Sequence, residues 1–92
     1  MEVNEIMWYL RCSSEIFPQI SPIRVRLLVN KVTGWQVEDI SYSPGDRFFV
    51  SNSDLYEQRH SLISAAERYA NSQKNIWAME LDRFNEMLRQ IH

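Results

Sequence analysis

Residues 53–92 contain neither proline nor glycine, the two residues that most often interrupt regular structure. Apolar side chains recur in this segment every three or four positions, which is the spacing of one helix face. The segment is therefore predicted to be helical, with an apolar stripe that packs on the rest of the chain. The stripe consists of Leu55, Leu62, Ala66 and Tyr69, followed by Trp77, Leu81, Phe84, Leu88 and Ile91.

Capping residues mark the start of this helical segment and a break within it. Asp54 and Glu57 have the spacing of a capping box, which predicts a helix that starts there and runs to about Ala70. Asn71 and Ser72 compete for backbone hydrogen bonds, so they favour a break between two helices. The alternative is one unbroken helix about 57 Å long, which would protrude far beyond a compact domain of this size.

Four upstream segments have the alternating pattern of strands, namely residues 6–12, 23–30, 35–42 and 47–51. Residues 13–22 are predicted to connect the first two strands. Residues 31–34 are predicted to form a hairpin loop in which Gly34 takes a positive φ. Residues 43–46, Ser-Pro-Gly-Asp, predict a type II turn. The alternation changes phase at Glu38 and Asp39, which predicts a β-bulge at that point.

The predicted fold class is α+β: a four-stranded antiparallel meander with two C-terminal helices packed on one face. Residues 1–92 are expected to form a single domain, and the composition, with 45% hydrophobic and 24% charged residues, is that of an ordinary globular protein. The helices are expected to cover the apolar face of the second strand, which is formed by Ile23, Val25, Leu27 and Val29.

The charges are evenly spread along the chain and give a net charge of −2. This balance argues against bulk electrostatic binding of nucleic acid, but it is compatible with a local basic patch. Cys12 is the only cysteine, so an internal disulfide is impossible and a reducing compartment is favoured. No apolar run approaches the roughly 20 residues of a membrane span. The expected location is therefore the cytoplasm.

The sequence contains no motif for metal binding, a cofactor or covalent catalysis. Cys12, His60 and His92 form no ligand pair with zinc-site spacing. Cys12 is instead predicted to be a small core residue. We therefore expect no cofactor, no bound metal and no enzymatic activity. A small enzyme subunit whose site is completed by a partner is a third possibility, behind the two binding functions described below.

Glu38, Asp39 and Asp46 are expected to lie near one another in the hairpin formed by the third and fourth strands. Neighbouring acids can act as a general acid and base when their pKa values are pushed apart. The favoured alternative is that these residues keep a turn and an exposed sheet edge soluble.

Arginines are the strongest candidates for partner contact. The alternation predicts that one sheet face, away from the helices, carries Tyr9, Arg11, Arg24, Arg26 and Arg47. Guanidinium groups and aromatic rings suit phosphates, unstacked bases or an acidic protein surface. The alternative is a solvated face on which the arginines form weak pairs with local acids such as Glu38.

In its length, its meander with Arg24, Arg26 and Arg47 and its helical C-terminal half, the whole chain resembles the small anti-CRISPR proteins that phages encode. The resemblance implies a non-enzymatic inhibitor, monomeric and in the host cytosol, that occupies a CRISPR surveillance complex and blocks target DNA binding. The arginines would then contact the RNA of that protein–RNA complex, and the three acids named above would mimic DNA. The alternative is a small module that binds RNA or single-stranded nucleic acid directly through the arginine-bearing face.

Overall fold

The computed structural model describes residues 1–13, 19–72 and 78–91 and shows one antiparallel sheet with two helices. The strands are β1 (Ile6–Ser13), β2 (Gln19–Lys31), β3 (Gly34–Asp39), β4 (Arg47–Ser51) and β5 (Leu55–Tyr56). The helices are α1 (Arg59–Ser72) and α2 (Ala78–Arg89). The strand order is β4-β3-β2-β1-β5. The predicted α+β class, the meander and the two helices are confirmed, and a short fifth strand is added.

The sheet curls strongly, so that its two edges approach each other. Only the 3-10 turn Asn52–Asp54 joins β4 to β5, although these strands lie at opposite edges. In a flat sheet they would be about 19 Å apart, farther than so short a connection can reach. The rings of Tyr9 on β1 and Phe48 on β4 also have centroids 5.5 Å apart, with β2 and β3 between their strands. The curl encloses the inner face of the sheet.

The inner face of the curled sheet is filled by its own side chains. Its buried cluster consists of Met7, Ile23, Val25, Leu27, Trp35, Val37, Val50 and Leu55. Because this face closes on itself, it needs no helix to cover it. The prediction that the helices cover the face of Ile23, Val25, Leu27 and Val29 is therefore wrong.

The helices pack instead on the outer face of the sheet, mainly against β1, β2 and β5. Sheet and helix side chains form a second buried cluster there: Trp8, Leu10, Ile20, Leu62, Ala65, Ala66, Phe84 and Leu88. Most of the predicted helical stripe lies in or against this cluster, whereas Trp77 is outside the described residues. Strand β1 is consequently apolar on both faces, because each face belongs to a different core.

Two strand boundaries differ from the prediction by more than one residue. Strand β2 begins at Gln19 rather than at residue 23, and Pro22 pairs with Leu10 of β1. The register with β3 begins only at Val25, so at Pro22 the strand pairs on one side only and tolerates the missing N–H. The rest of the predicted connection, residues 14–18, lies outside the described residues. At the other hairpin, β3 ends at Asp39 instead of residue 42.

The bulge lies in β2, not at Glu38 and Asp39. Leu27 pairs with Val37, but Val29 pairs with Gln36, so the register shifts at the intervening Leu28. The shift moves Val29 to the outer face, where it is 49% exposed. The prediction failed because Ile40 and Tyr42, whose phase suggested the bulge, lie beyond the end of β3 at Asp39.

The helical half begins later than the capping box suggested. Leu55 and Tyr56 form β5 beside β1, with Leu55 in the inner cluster and Tyr56 against the outer one. Helix α1 starts at Arg59 and ends at Ser72, which confirms two separate helices. The predicted start at Asp54 is wrong, because Asp54 belongs to the 3-10 turn that joins β4 to β5.

The type II turn is confirmed, since Gly45 has a φ of 96° and Asp46 N donates to Ser43 O at 3.1 Å. A positive φ is not confirmed at Gly34. This glycine is required for a different reason, namely the close approach of β4. A Cβ atom at Gly34 would overlap Val50 O and would lie 2.9 Å from Ser51 Cα.

Gly34→Ala is therefore expected to push β3 and β4 apart and to lower the free energy of unfolding by about 1–3 kcal/mol. Urea denaturation followed by tryptophan fluorescence would measure the change. Val32→Ala is the matched control, because Val32 in the adjacent turn is fully exposed. Equal stability of the two variants would contradict the steric argument.

Candidate binding surface

The pairing register divides the five residues of the predicted arginine-bearing face between the two faces of the sheet. Arg24 pairs with Trp8 on the outer face, and Arg26 follows two positions later on that face. Tyr9 pairs with Ile23 of the inner cluster, and Arg11 lies two positions after Tyr9 on β1. Tyr9 and Arg11 are therefore on the inner side of this strand. The prediction of a single arginine face that includes Tyr9 and Arg11 is therefore wrong.

Tyr9 is a packing residue rather than a free surface ring. Its ring contacts Phe48 against the inner cluster. Burial, and secondarily the negative charge of Asp54, raise the pKa of Tyr9 above its ordinary value. Arg11 is exposed near the end of β1 and lies away from the other predicted arginines.

The remaining arginines form a row across three strands on the outer face. Arg26 of β2, Glu38 of β3 and Arg47 of β4 are paired in register. The ion pair between Arg26 Nη1 and Glu38 Oε1 is 3.5 Å long and partly solvated, with 44% of the Arg26 side chain and 22% of the Glu38 side chain exposed. Such pairs contribute about 0–1 kcal/mol. Glu38 thus lies between two arginines, and the row carries a net positive charge.

A second row beside this one is partly apolar. Val29, Gln36 and Phe49 are paired in register on the same outer face. Val29 and Phe49 are 49% and 48% exposed, since the helices pack mainly elsewhere. The two rows together are called the open face, which consists of Arg26, Val29, Gln36, Glu38, Arg47 and Phe49.

The sequence-based prediction did not include Val29 or Phe49 in the candidate surface. Val29 appeared to face inward because the bulge was assigned to the wrong strand. Phe49 had a recognisable signal, because it is out of phase with Phe48 and Val50 in a short strand. An aromatic residue that breaks the alternation of a strand is a candidate for exposure on its other face.

Asp39 does not contribute its carboxylate to any surface. The residue is 2% exposed and organises the loop that follows β3. Its Oδ1 accepts from Ser41 N at 2.8 Å and Tyr42 N at 3.0 Å, and its Oδ2 accepts from Ser43 N at 2.9 Å. The expectation that Asp39 is an exposed acid is wrong, because its two oxygens satisfy donors of the loop. Asp46, by contrast, is exposed.

Arg24 and Arg59 flank the indole of Trp8 beneath the helices. Their guanidinium carbons lie 4.4 Å and 5.3 Å from the ring centroid. Arg59 also donates to Leu88 O at 3.2 Å and Ile91 O at 2.6 Å, at the C-terminal end of α2. Burial, and secondarily the charge of Arg59, lower the pKa of Arg24 from its ordinary value. Arg24 is therefore partly buried against Trp8, whereas Arg26 is exposed.

The structure also places the candidate nucleophile and metal ligands. Cys12 is exposed, so the prediction of a core thiol is wrong. His60 is exposed on α1, and His92 lies outside the described residues. Within residues 1–13, 19–72 and 78–91, no group of three or more His, Cys, Asp or Glu side chains is arranged to hold a metal ion.

No protein-family model matches this sequence, and searches of curated proteins and of solved structures find no significant match. In the part of the chain that the structure describes, no helix is both long and apolar enough to cross a membrane.

Proposed function

We propose that this protein is a non-enzymatic binding protein of the host cytosol that acts by covering an acidic surface of a larger assembly. One observation carries the proposal. The open face combines two half-exposed apolar side chains, Val29 and Phe49, with a row in which two arginines flank one glutamate. Apolar contacts of this kind supply affinity at an interface, and the excess positive charge selects a negatively charged partner.

The resemblance to anti-CRISPR proteins supplies a specific partner for this proposal, namely a CRISPR surveillance complex whose target DNA binding would be blocked. Such a complex presents RNA phosphates and the protein surfaces around them. Arg26 and Arg47 would contact that negative surface, with Phe49 packed between the two molecules. Asp39 is buried and takes no part in DNA mimicry, so positive rather than negative side chains are the proposed contacts.

The test uses the full chain with Arg26→Glu and Arg47→Glu combined, and measures binding to a purified surveillance complex by native mass spectrometry. The matched control is Arg68→Glu with Arg89→Glu, which changes the net charge equally at two exposed helix positions. We expect the first variant to bind at least about tenfold more weakly and the control to bind like the unchanged chain. Equal losses in both variants, or no binding by the unchanged chain, would count against the proposal.

A second candidate function is direct binding of RNA or single-stranded nucleic acid through the open face. The specific observation in its favour is Phe49, a half-exposed ring on the same face as Arg26 and Arg47. Bases stack on such rings while nearby arginines contact phosphates.

Fluorescence anisotropy with a single-stranded RNA at two salt concentrations separates the two functions. Direct recognition predicts binding that weakens steeply with salt and is lost in Phe49→Ala. The protein-partner function predicts little affinity for free RNA under either condition.

A further inference from the structure

A cleft lies between the C-terminal end of α2 and the segment that follows β3. Two adjoining cavities, of about 390 Å³ and about 230 Å³, share Ser41, Gln90 and Ile91 as lining residues. The larger one lies within the size range of small-molecule sites. The cleft contains side chains that the open face does not use.

Arg24 lines the smaller cavity and has an unsatisfied donor. Its Nη1 atom is buried and has no hydrogen-bond partner among the described residues. The rest of the residue is well fixed, because its backbone N–H donates to Ser41 Oγ at 2.8 Å and its guanidinium lies over Trp8. Buried polar atoms normally have a partner, so such a donor on a held guanidinium indicates a missing acceptor.

The two other arginines near the cleft already have acceptors. Arg59 donates to the carbonyls at the end of α2, as described above. Arg83, which lines the larger cavity, donates to Glu80 Oε1 and Ile20 O, each at 2.7 Å. No aspartate or glutamate is among the described residues that line the two cavities. Among the described residues of the cleft, one positive charge, that of Arg24, therefore has no anionic partner.

The shape and lining of the cleft restrict what such an anion can be. Pro22, Met87 and Ile91 give the larger cavity apolar walls, beside the ring of Tyr42. The single available guanidinium matches the charge of a monoanion, and its planar fork fits a carboxylate. A phosphate dianion would need a second free cation, but Arg59 and Arg83 are already engaged.

We propose that this cleft is a binding site for a small organic carboxylate with a ring or short aliphatic body. A small shift of the Arg24 guanidinium over Trp8 opens Nη1, which solvent does not reach in this structure, so that the carboxylate accepts from it. The apolar body then lies against Met87 and Ile91. Burial and the nearby Arg59 disfavour the charged form of Arg24, and the negative charge of the bound anion would offset both effects. The proposal is independent of the open face and of the function assigned to it.

Titration of the 15N-labelled full chain with benzoate, followed by NMR, tests the site. Benzamide is the neutral control, and inorganic phosphate tests the preference for a carboxylate. We expect benzoate to cause saturable shifts in the backbone amides of Ser41, Tyr42, Gln90 and Ile91. Benzamide and phosphate are expected to cause much smaller shifts at these positions.

The variants Arg24→Gln and Arg26→Gln complete the test, because the two arginines are neighbours on the same face of β2. Arg24→Gln is expected to weaken benzoate binding by about tenfold to a hundredfold, and Arg26→Gln to leave it unchanged. A thermal melt of each variant without ligand shows whether it is folded.

Any of three results would overturn the proposal: equal binding of benzoate and benzamide, unchanged benzoate binding by folded Arg24→Gln, or shifts by phosphate alone. If Arg24→Gln does not fold, Arg24→Lys replaces it with the same expected loss, because lysine lacks the planar fork.

Discussion

Phe84→Ala is expected to lower the free energy of unfolding by about 3–5 kcal/mol, which is typical of deleting a fully buried phenylalanine. Phe84 of α2 is 0% exposed and lies in the outer cluster with Trp8 and Leu62. This cluster is where the helices meet the sheet, so the cavity left by the ring would weaken packing between helices and sheet. Small domains have a total free energy of unfolding of about 5–15 kcal/mol, so the substitution would remove a large fraction of the stability.

Urea denaturation measured by circular dichroism would give the change, and Phe49→Ala provides a control with the same substitution. Phe49 is 48% exposed on the open face, so its removal is expected to cost less than about 1 kcal/mol. The pair also separates the roles of the two rings, because only Phe49 is proposed to contact a partner. Comparable destabilisation by both substitutions would contradict the assignment of Phe84 to the core and Phe49 to the surface.

Much of the local structure of this protein is predictable from its alternating patterns. Residues 47–51 were predicted as a strand and form β4 with the same limits. The type II turn was predicted from proline and glycine at the two positions where that turn needs them. The predicted division of the C-terminal half into two helices agrees with the separate helices α1 and α2. These features depend only on residues that are close together in the sequence, so they can be predicted from a single sequence.

The position of the helices was not predictable in the same way. Alternation shows that Ile23, Val25 and Leu27 share a face, but not what covers that face. Trp8 and Leu10 form an equally apolar face on the other side of the sheet. Only the curl of the sheet decides between them, since it closes the inner face and leaves the outer one for the helices. The curl brings β5 beside β1, and the two residues of β5, Leu55 and Tyr56, are too few to stand out from a helical pattern.

Only part of the candidate surface was predictable, again because the contacts between elements do not follow from alternation. Arg24 and Arg26 were correctly assigned to one strand face, because they are two positions apart. Whether Tyr9 and Arg11 lie beside them depends on the register between β1 and β2. Alternation within one strand does not predict that register. The contact of Arg24 and Arg59 with the ring of Trp8 joins residues from three separate elements. The sequence therefore predicted which residues share a strand face, but not which residues of different elements meet.

Asp39→Ala is expected to destabilise the fold by about 2–4 kcal/mol, because it removes several hydrogen bonds to one buried carboxylate. The three backbone donors of Ser41, Tyr42 and Ser43 would lose their acceptors together. A second link holds the same loop, since Asp39 N donates to Asp46 O at 2.8 Å and Gly45 N donates to Asp39 O at 3.0 Å. These backbone bonds survive the substitution, so the turn is retained while the intervening loop is released.

Amide hydrogen exchange distinguishes this local release from general unfolding. Faster exchange is expected at Ser41, Tyr42 and Ser43, beyond the change that the loss of global stability produces in β1 and β2. Asp46→Ala is the matched control, because Asp46 is an exposed acid of the same hairpin and should change stability by no more than about 0.5 kcal/mol. Similar losses in the two variants would show that the Asp39 carboxylate does not organise the loop.

Because Ser41 and Tyr42 also line the proposed carboxylate site, Asp39→Ala should weaken benzoate binding even while Arg24 remains in place.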